Sequence, residues 1–527
     1  MTDVIVIGGG VNGLVAATSL ARQKLHVTLL EQRAVVGGGA ALSELAPGYR
    51  VPSLSHSLGP MAREVIRALR LDRAGLEFLT PDPSLTSFTA DGRALVFHRD
   101  DVITSASIHA LSSRDAGRWT EFKRTVHRVA GVIARLDRHA PPGVDGLSGG
   151  DWWSLLGTGR HARSLGRRDL IRLARWMPMS IADLTAEWFE TDALRAAIAA
   201  HAIFGNPAGP RSAGTGAMFL ARAAADPVPV GSGMTVRGGP GALAAALAVR
   251  ATESGVSVRS DARVVKVLVD DGRATGVVLD NGDHLSAKAV IAAVAPKQLF
   301  ADLVPAGDVP PTFLSRVRHI RSRGVTAKVN LALSSLPAFE ILAGDSVPLR
   351  GRLLVAPDLD YLERAFDATK YGEMSEHPWL EIAVPSVIDA SLAPEGGHVM
   401  SVAVHFAPRT LRNQRWADAK PALLASVMRV LDSVAPGIAS HVVAEEILTP
   451  EDLETQWGFP GGHIFHGEST LDQMWAARPL LGWARYRTPI RGLYVGSAGT
   501  HPGGGLTGLS GWLAAEALRS DLRKRAI

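Results

Sequence analysis

Residues 3–31 read DVIVIGGGVNGLVAATSLARQKLHVTLLE, and several elements follow one another in this stretch. An apolar run rich in β-branched residues comes first and predicts a strand buried on both faces. The pattern G-x-G-x-x-G follows at Gly8, Gly10 and Gly13, and a helical segment then leads into a second apolar run that ends at Glu31. Strand, glycine turn, helix and strand in this order predict a parallel unit that binds a dinucleotide.

Each residue of this motif has a physical role. Gly8 permits the tight turn, Gly10 lets a pyrophosphate approach the backbone, and Gly13 allows the helix to pack closely on the strand. The free N–H groups and the positive dipole end at the start of the helix attract phosphates. Glu31 lies 18 residues beyond Gly13 (31 − 13) and is placed to accept hydrogen bonds from an adenosine ribose. This unit alone fits either NAD or FAD.

Two further glycine clusters bring backbone close to the same ligand. Residues 31–40 read EQRAVVGGGA, in which Arg33 is followed by Gly37 and Gly38. Residues 492–505 read GLYVGSAGTHPGGG, which predicts a short strand and a glycine-rich turn before a helical segment. That turn presents backbone N–H groups and a helix end to a polar ligand atom. The additional clusters favour FAD, because a nicotinamide dehydrogenase has no need of them.

The composition limits the possible functions. The chain has 527 residues with 56 basic and 51 acidic side chains, a net charge of +5, and no cysteine. Disulphide-reductase chemistry, cysteinyl attachment of a flavin and cysteine-based zinc or iron–sulphur sites are therefore excluded. The small net charge, without a basic stripe interleaved with aromatic residues, argues against a nucleic-acid partner. No apolar run approaches the roughly 20 residues that span a bilayer, and no signal sequence is recognised, so a cytoplasmic location is expected.

One basic segment leaves a membrane partner open. Residues 160–176 combine basic side chains with apolar ones in a pattern that predicts a helix. The basic members are Arg160, His161, Arg163, Arg167, Arg168, Arg172 and Arg175. The pattern fits an amphipathic helix in peripheral contact with a membrane, or a solvated helix face, which is the commoner case.

The order of the elements predicts two domains built from separated pieces. Residues 1–50, 231–300 and 485–527 carry the glycine turns and short buried strands of a dinucleotide-binding domain. Residues 51–230 and 301–484 form the predicted substrate-binding domain, a mixed sheet with helices. The predicted fold class is α/β (α+β overall), with a Rossmann-like domain and a discontinuous substrate domain. These insertions imply a seam between the domains where cofactor and substrate meet.

Three segments of the chain, at residues 4–40, 458–479 and 484–511, resemble one flavoprotein family. They are similar to the phytoene dehydrogenase-like FAD oxidoreductases, a branch related to carotenoid desaturases and amine oxidases. The second and third segments are most similar to the subgroup of pyridine nucleotide-disulphide oxidoreductase domain-containing protein 2, which does not rely on a disulphide. The resemblance implies non-covalent FAD, an amine-oxidase-like fold of two domains, and hydride transfer on apolar or unsaturated substrates.

The resemblance also assigns cofactor-binding residues. In relatives, the position that matches Val264 contacts the adenine end through its backbone. The full set is Gly8, Gly10, Gly13, Glu31, Arg33, Gly37, Gly38, Val264, Gly496, Thr500, Pro502, Gly503 and Gly504. Many amine-oxidase relatives place an arginine directly after the Gly-Gly pair, whereas this chain has Gly39-Ala40-Ala41. That departure favours the desaturase side of the family.

Catalysis needs few side chains, because a flavin can take a hydride directly from carbon. If a base takes part, histidine is the expected residue type. His501, in the glycine turn that should face the flavin, and His56, just beyond the cofactor motif, are the candidates. His463, His466 and Glu468 have a spacing that suggests either a metal site or packing at the seam. Packing is favoured, and no metal is expected.

No second strand-associated G-x-G-x-x-G follows residue 40, so one dinucleotide is expected. Oxygen, a quinone or another diffusing acceptor must then reoxidise the reduced flavin, unless the reaction is an isomerisation. The favoured function is an FAD-dependent oxidoreductase that desaturates, saturates or isomerises a small apolar substrate. The alternatives are an amine or amino-acid oxidase and a non-catalytic FAD-binding protein.

Overall fold

The computed structural model describes residues 2–59, 61–143, 156–160 and 163–524. Within these residues the chain forms two seven-stranded sheets and two short sheets of two strands each. The pairs are Leu42–Ala46 with Tyr49–Pro52, and Phe78–Leu79 with Thr235–Val236. Two sheets combined with helices confirm the predicted α/β class.

The first sheet has a parallel core. Its strands lie in the order Ser257–Arg259, Val27–Leu30, Thr2–Ile7, His284–Ala292 and Leu493–Val495. The strand His284–Ala292 also pairs antiparallel with Arg273–Leu279, which pairs antiparallel with Val264–Asp270. In the register, Val4 lies opposite both Val27 and Ala289, so the strand that precedes the glycine motif lies at the centre of this core.

Helices and strands cover both faces of the first sheet, which explains the uninterrupted apolar run at its centre. Val4 and Val6 pack into one cluster with the helices Val11–Ala21, Gly239–Glu253 and Leu509–Arg523. Ile5 and Ile7 face the opposite side, where the antiparallel strands and the helix Pro311–Arg318 pack. The sheet is therefore buried on both faces, as the sequence predicts.

The second sheet is almost entirely antiparallel. Its strands lie in the order Val442–Leu448, Thr326–Leu333, His398–His405, Trp379–Ala383, Arg352–Val355, Leu85–Phe88 and Ala94–Phe97. The helix Trp416–Asp432 packs with an apolar cluster from one face of this sheet. A second cluster joins the sheet to the helices Ser113–Asp137, Ile181–Ala186, Asp192–Ile203 and Thr215–Ala225.

The remaining α-helices are Arg63–Leu69, Asp101–His109, Gly166–Trp176, Pro296–Gln298, Leu359–Lys370 and Pro450–Thr455. Every strand of the first sheet lies within the ranges assigned to the dinucleotide-binding domain, and every strand of the second within those assigned to the substrate domain. The bounds of the domains themselves stay a prediction.

Within the basic segment 160–176, the helix Gly166–Trp176 packs against the long helix Ser113–Asp137, whereas His161 and Ala162 lie outside the described residues. Asp169 is buried and pairs with Arg128 and Arg172, while Trp176 is buried in the apolar cluster. Arg167, Arg168 and Ile171 are exposed. None of the helices described here has both the length and the apolar content needed to cross a membrane.

Candidate functional site

A cavity of about 1370 Å³ lies between the two sheets. Ile7, Leu30 and Ala293 line it at the carboxyl ends of the parallel strands or one residue beyond, and Lys328 and Glu381 line it from the second sheet. Ligands of open α/β sheets bind outside the carboxyl ends of the strands. The cavity therefore occupies the predicted seam.

The three glycines of the first motif have different surroundings. A Cβ atom on Gly13 would lie 1.9 Å from the carbonyl oxygen of Gly8, so only glycine allows the helix to pack this closely on the turn. Gly8 has φ +97°, which favours glycine. A Cβ on Gly10 would meet only the Cα of Gly38, at 3.9 Å, so the backbone of Gly10 stays open to a ligand. Gly8 and Gly10 line the cavity, and Gly13 packs behind them.

The carboxylate of Glu31 holds the first two glycine clusters together. It accepts hydrogen bonds from the backbone N–H groups of Gly9, at 2.7 Å, and Arg33, at 2.9 Å. The residue is buried but lines the cavity. A carboxylate has about four lone-pair sites, so Glu31 can still accept from a ligand hydroxyl.

Arg33 connects this end of the cavity to a distant segment. Its guanidinium lies 3.6 Å from the centre of the Trp457 ring, and both residues line the cavity. The buried NH1 atom of Arg33 has no hydrogen-bond partner in the described part of the chain, so it remains a donor for a ligand. Val264 lines the same cavity.

Some of the remaining predicted cofactor-binding residues line the cavity, and the others pack behind its wall. Gly38, Pro502, Gly503 and Gly504 line the cavity. Gly37 adopts φ +131° behind the wall, and a Cβ on Gly496 would lie 2.6 Å from the Cβ of Ala514 in the helix Leu509–Arg523. Thr500 is buried and donates its hydroxyl to the Ser497 carbonyl at 2.8 Å. Gly37, Gly496 and Thr500 therefore shape the loops that reach the cavity.

The two predicted histidines have different positions. The turn that carries His501 lines the cavity, but the imidazole itself is buried outside the lining, and burial lowers its pKa to about 4. Neither ring nitrogen makes a hydrogen bond of good geometry with the described residues, although the backbone of His139, Leu136 and Asp137 lies near the ring and opposes the lowering of its pKa. This differs from the expected orientation toward the flavin. The His56 side chain lines the cavity.

His56 belongs to a buried chain of polar side chains. Its Nδ1 lies 3.0 Å from Lys328 Nζ, and its Nε2 lies 3.0 Å from Glu381 Oε1. Arg352 NH1 donates to the other carboxylate oxygen of Glu381 at 2.8 Å. Because a carboxylate only accepts, the His56 ring carries its proton on Nε2 and accepts from Lys328 at Nδ1. We call these four residues the polar chain.

Burial and neighbouring charges shift the pKa values of this polar chain. Burial lowers the pKa of Lys328 to about 7, although Glu381 and Glu446 oppose this change. Burial, together with the charge of Lys328, lowers the pKa of His56 to about 4. Burial alone would raise the pKa of Glu381, but Arg352 and His56 outweigh it and hold that pKa well below its usual range. At neutral pH the polar chain therefore contains a neutral imidazole, an ionised carboxylate and a lysine close to its titration point.

Sequence reasoning missed Lys328, Arg352 and Glu381. A signal was present, because charged residues are rarely found in buried strands unless they are paired. Lys328 lies in the strand sequence TAKVNLAL, and Glu381 lies in WLEIA. The identity of their partners depends on strand order, which the sequence does not supply.

Arg222, on the helix Thr215–Ala225, also lines the cavity. Its guanidinium carbon lies 5.1 Å from the centre of the Phe204 ring and 5.4 Å from that of Phe465. Its NH2 atom donates to the Phe204 carbonyl at 2.8 Å. Burial lowers the pKa of Arg222 to about 10, so the side chain is cationic at neutral pH.

The segment that suggested a metal forms a packed ion-pair cluster. Glu468 is fully buried and accepts hydrogen bonds from the guanidinium groups of Arg321 and Arg323. His463 Nδ1 accepts from the Phe465 backbone at 3.1 Å, and His466 lines the cavity. Within the described ranges, no group of three or more His, Asp or Glu side chains is arranged to hold a metal ion.

Comparison with known proteins identifies the class. Residues 12–519 match the family of flavin containing amine oxidoreductases, and the chain belongs to this family. It is an oxidoreductase with a flavin cofactor. The glycine turns, Glu31 and the unpaired NH1 of Arg33 fit such a group, because they offer N–H donors and an acceptor around an open backbone.

Individual members of the family show which proteins this chain is similar to. The chain is 33% identical to pyridine nucleotide-disulfide oxidoreductase domain-containing protein 2 of Rattus norvegicus, over 99% of this chain and 94% of the relative. It is 26% identical to the phytoene desaturase (neurosporene-forming) of Cereibacter sphaeroides, over 96% of this chain and 92% of that protein. The solved structure of cyclohexylamine oxidase from Brevibacterium oxydans has the same fold, with a TM-score of 0.60, 16% identity and 99% coverage of both chains. These matches confirm the predicted family and the amine-oxidase-like fold.

Proposed function

We propose that this protein is an FAD-dependent oxidoreductase that binds FAD non-covalently and desaturates, saturates or isomerises an apolar substrate. The observation that carries the proposal is the charge of the cavity. Arg222 and the protonated form of Lys328 supply cationic groups, while the charges of Arg352 and Glu381 neutralise each other in a buried ion pair. The neighbouring walls are largely apolar, and they include Leu54, Leu58, Met61, Phe78, Met218, Met234, Ile464 and Met474.

This arrangement disfavours an amine substrate. A cationic ammonium group would be repelled by Arg222, and by Lys328 in its protonated form, inside a cavity of low dielectric constant. Amine sites commonly present aromatic faces to the cation. Here the faces of Phe204 and Phe465 are already covered by the guanidinium of Arg222. The amine or amino-acid oxidase is therefore the second candidate, supported by the family's amine-oxidase members.

The side chains of the cavity can support hydride transfer in simple ways. Bound FAD supplies the hydride acceptor or donor. The apolar walls exclude water and orient the substrate. Lys328 can hold or release a proton at Nζ near neutral pH, and His56 and Glu381 fix its position through the hydrogen bonds of the polar chain. The role of His501 as a catalytic base remains a prediction from the sequence.

The electron acceptor and the membrane contact are further parts of the proposal. If the reaction is a desaturation, oxygen, a quinone or another diffusing molecule reoxidises the reduced flavin; a saturation instead needs a diffusing reductant, and an isomerisation needs neither. The exposed Arg167, Arg168 and Ile171 support peripheral contact of the segment 160–176 with an anionic lipid surface.

Anaerobic bleaching of the purified protein tests the proposed activity. We expect a yellow protein that releases its flavin on acid precipitation and is bleached by members of a panel of carotenoids and terpenes. Bleaching by aliphatic amines alone would establish the alternative oxidase. A holoprotein that no substrate bleaches, whose dithionite-reduced flavin no substrate reoxidises under anaerobic conditions, and that isomerises no member of the panel would be a non-catalytic FAD-binding protein. A protein that takes up no FAD would contradict the cofactor.

A further inference from the structure

We propose that Arg222 binds a carboxylate of the substrate, so that the substrate is an apolar acid. The inference rests on the proposed function and names the substrate class. Arg222 is a cation that lines the cavity, and within the described residues it has no carboxylate partner within ion-pair distance.

The nearby carboxylates are already engaged. Glu381 is bound by His56 and Arg352. Asp226, on the same chain segment as Arg222, accepts hydrogen bonds from the backbone N–H groups of Ser232, at 2.7 Å, and Val228, at 3.3 Å. The charge of Arg222 is therefore not neutralised by a direct ion pair.

The surroundings hold the guanidinium in a fixed position. The guanidinium carbon lies over the Phe204 and Phe465 rings, 5.1 and 5.4 Å from their centres, and one NH2 hydrogen is used by the Phe204 carbonyl. A guanidinium has five N–H donors in a planar fork that matches a carboxylate. The remaining donors can therefore bind a carboxylate without reorganisation of the side chain.

His201 is a second polar group at the same place. The residue is half-buried and lines the cavity, and its buried Nε2 atom has no hydrogen-bond partner in the described part of the chain. Burial, together with the charges of Arg222 and Arg352, holds the pKa of His201 well below its usual range. A neutral imidazole beside Arg222 can donate a further hydrogen bond to an acid, and it adds no second charge that an acid would have to neutralise.

The apolar walls determine the rest of the ligand. Met218 and Ala221 lie on the same helix as Arg222 and line the cavity, as do Ala224 and Ala225. Burial of apolar surface against these walls favours binding of a hydrocarbon group. A ligand with a hydrocarbon body and a carboxylate can bind the apolar walls and Arg222 at the same time. A small hydrophilic acid can bind Arg222 but leaves the apolar walls without a partner.

The test uses three ten-carbon probes, namely decanoate, decanol and decylamine, added to the FAD-loaded protein. Binding is followed through the change in the flavin absorbance spectrum. We expect decanoate to bind about tenfold or more tightly than decanol, and decylamine to bind weakest. The Arg222→Gln variant should bind decanoate and decanol alike, and Arg222→Lys should keep part of the preference.

Arg135, an exposed arginine that lines the mouth of the cavity, gives the matched control. The Arg135→Gln variant should keep the preference for decanoate. Equal binding of decanoate and decanol by the wild-type protein would overturn the inference, and so would loss of the preference in Arg135→Gln but not in Arg222→Gln. A wild-type protein that binds FAD but none of the three probes would instead count against the proposed apolar substrate.

Discussion

Arg352 and Glu381 form a buried ion pair in the wall of the cavity, with 2.8 Å between NH1 and Oε2. The two residues lie on adjacent antiparallel strands of the second sheet. The NH2 atom of Arg352 also donates to the carbonyls of Val230 and Gly231, at 2.6 and 2.8 Å. The pair therefore joins the sheet to the segment that follows the helix Thr215–Ala225.

Removal of one partner should destabilise the fold strongly. In the Arg352→Met variant, Glu381 would remain as a buried charge with only His56 as its partner. We expect a loss of about 3–5 kcal/mol in the free energy of unfolding, measured with urea. The control is Arg237→Gln, which breaks the exposed ion pair with Glu77 and should leave the free energy of unfolding almost unchanged, because solvent screens this pair. Equal losses in both variants would contradict the structural role of the buried pair.

Lys328 should make stability depend on pH. Its pKa is about 7 in the folded protein, whereas an unfolded lysine keeps its proton to about pH 10.4. Between these values the unfolded state binds more protons, so the free energy of unfolding rises with pH by up to about 1.4 kcal/mol per unit. The Lys328→Met variant removes this contribution.

The measurement is urea unfolding of both proteins from pH 7.5 to 9.5. The stability of the variant relative to the wild type should fall as the pH rises. A difference that stays constant across this range would show that Lys328 does not titrate there.

Gly13 and Gly117 test the packing of the glycine motif. A Cβ on Gly13 meets the Gly8 carbonyl oxygen at 1.9 Å, whereas a Cβ on the exposed Gly117 has no atom within 4 Å. We expect Gly13→Ala to lose about 1–3 kcal/mol of stability and most of the bound FAD. Gly117 lies inside the helix Ser113–Asp137, so Gly117→Ala should gain up to about 1 kcal/mol and keep its FAD. Thermal unfolding measures the change in stability, and flavin absorbance measures the amount of bound FAD.

Glu31 should control cofactor affinity. In the Glu31→Gln variant, the side-chain NH2 group cannot accept the hydrogen bonds that the carboxylate takes from Gly9 and Arg33. We expect the dissociation constant for FAD to rise about tenfold or more, as measured by fluorescence quenching of added FAD. The exposed Glu121, changed to Gln, is the control and should leave the affinity unchanged. An unaltered affinity for FAD in Glu31→Gln would show that the backbone of the two glycine clusters keeps its conformation without the Glu31 carboxylate.

The sequence predicted local structure better than the site. The strand that precedes Gly8 lies at the centre of the parallel core. This position was predictable, because a continuous apolar run is typical of a strand that is buried on both faces of a parallel sheet. The helix Ser113–Asp137 begins directly after Ser112, whose side chain accepts a hydrogen bond from the Asp115 N–H. Serine is one of the residues preferred at this position, so this helix start has a local signal in the sequence.

The polar chain could not be predicted in the same way. His56 and Lys328 are 272 residues apart, and His56 and Glu381 are 325 apart. The sheet order brings the strands Thr326–Leu333 and Trp379–Ala383 to opposite sides of His398–His405. Only this arrangement places Lys328 and Glu381 on either side of one imidazole.

The position of the strand Leu493–Val495 has a consequence for how the protein matures. This strand pairs with His284–Ala292, directly beside the central strand of the parallel core. On a translating ribosome, the parallel core stays incomplete until residue 495 has left the exit tunnel, although the glycine motif emerged hundreds of residues earlier. Capture of the cofactor is therefore a late event in biosynthesis, and the nascent chain must keep its exposed strand edges from aggregating until then.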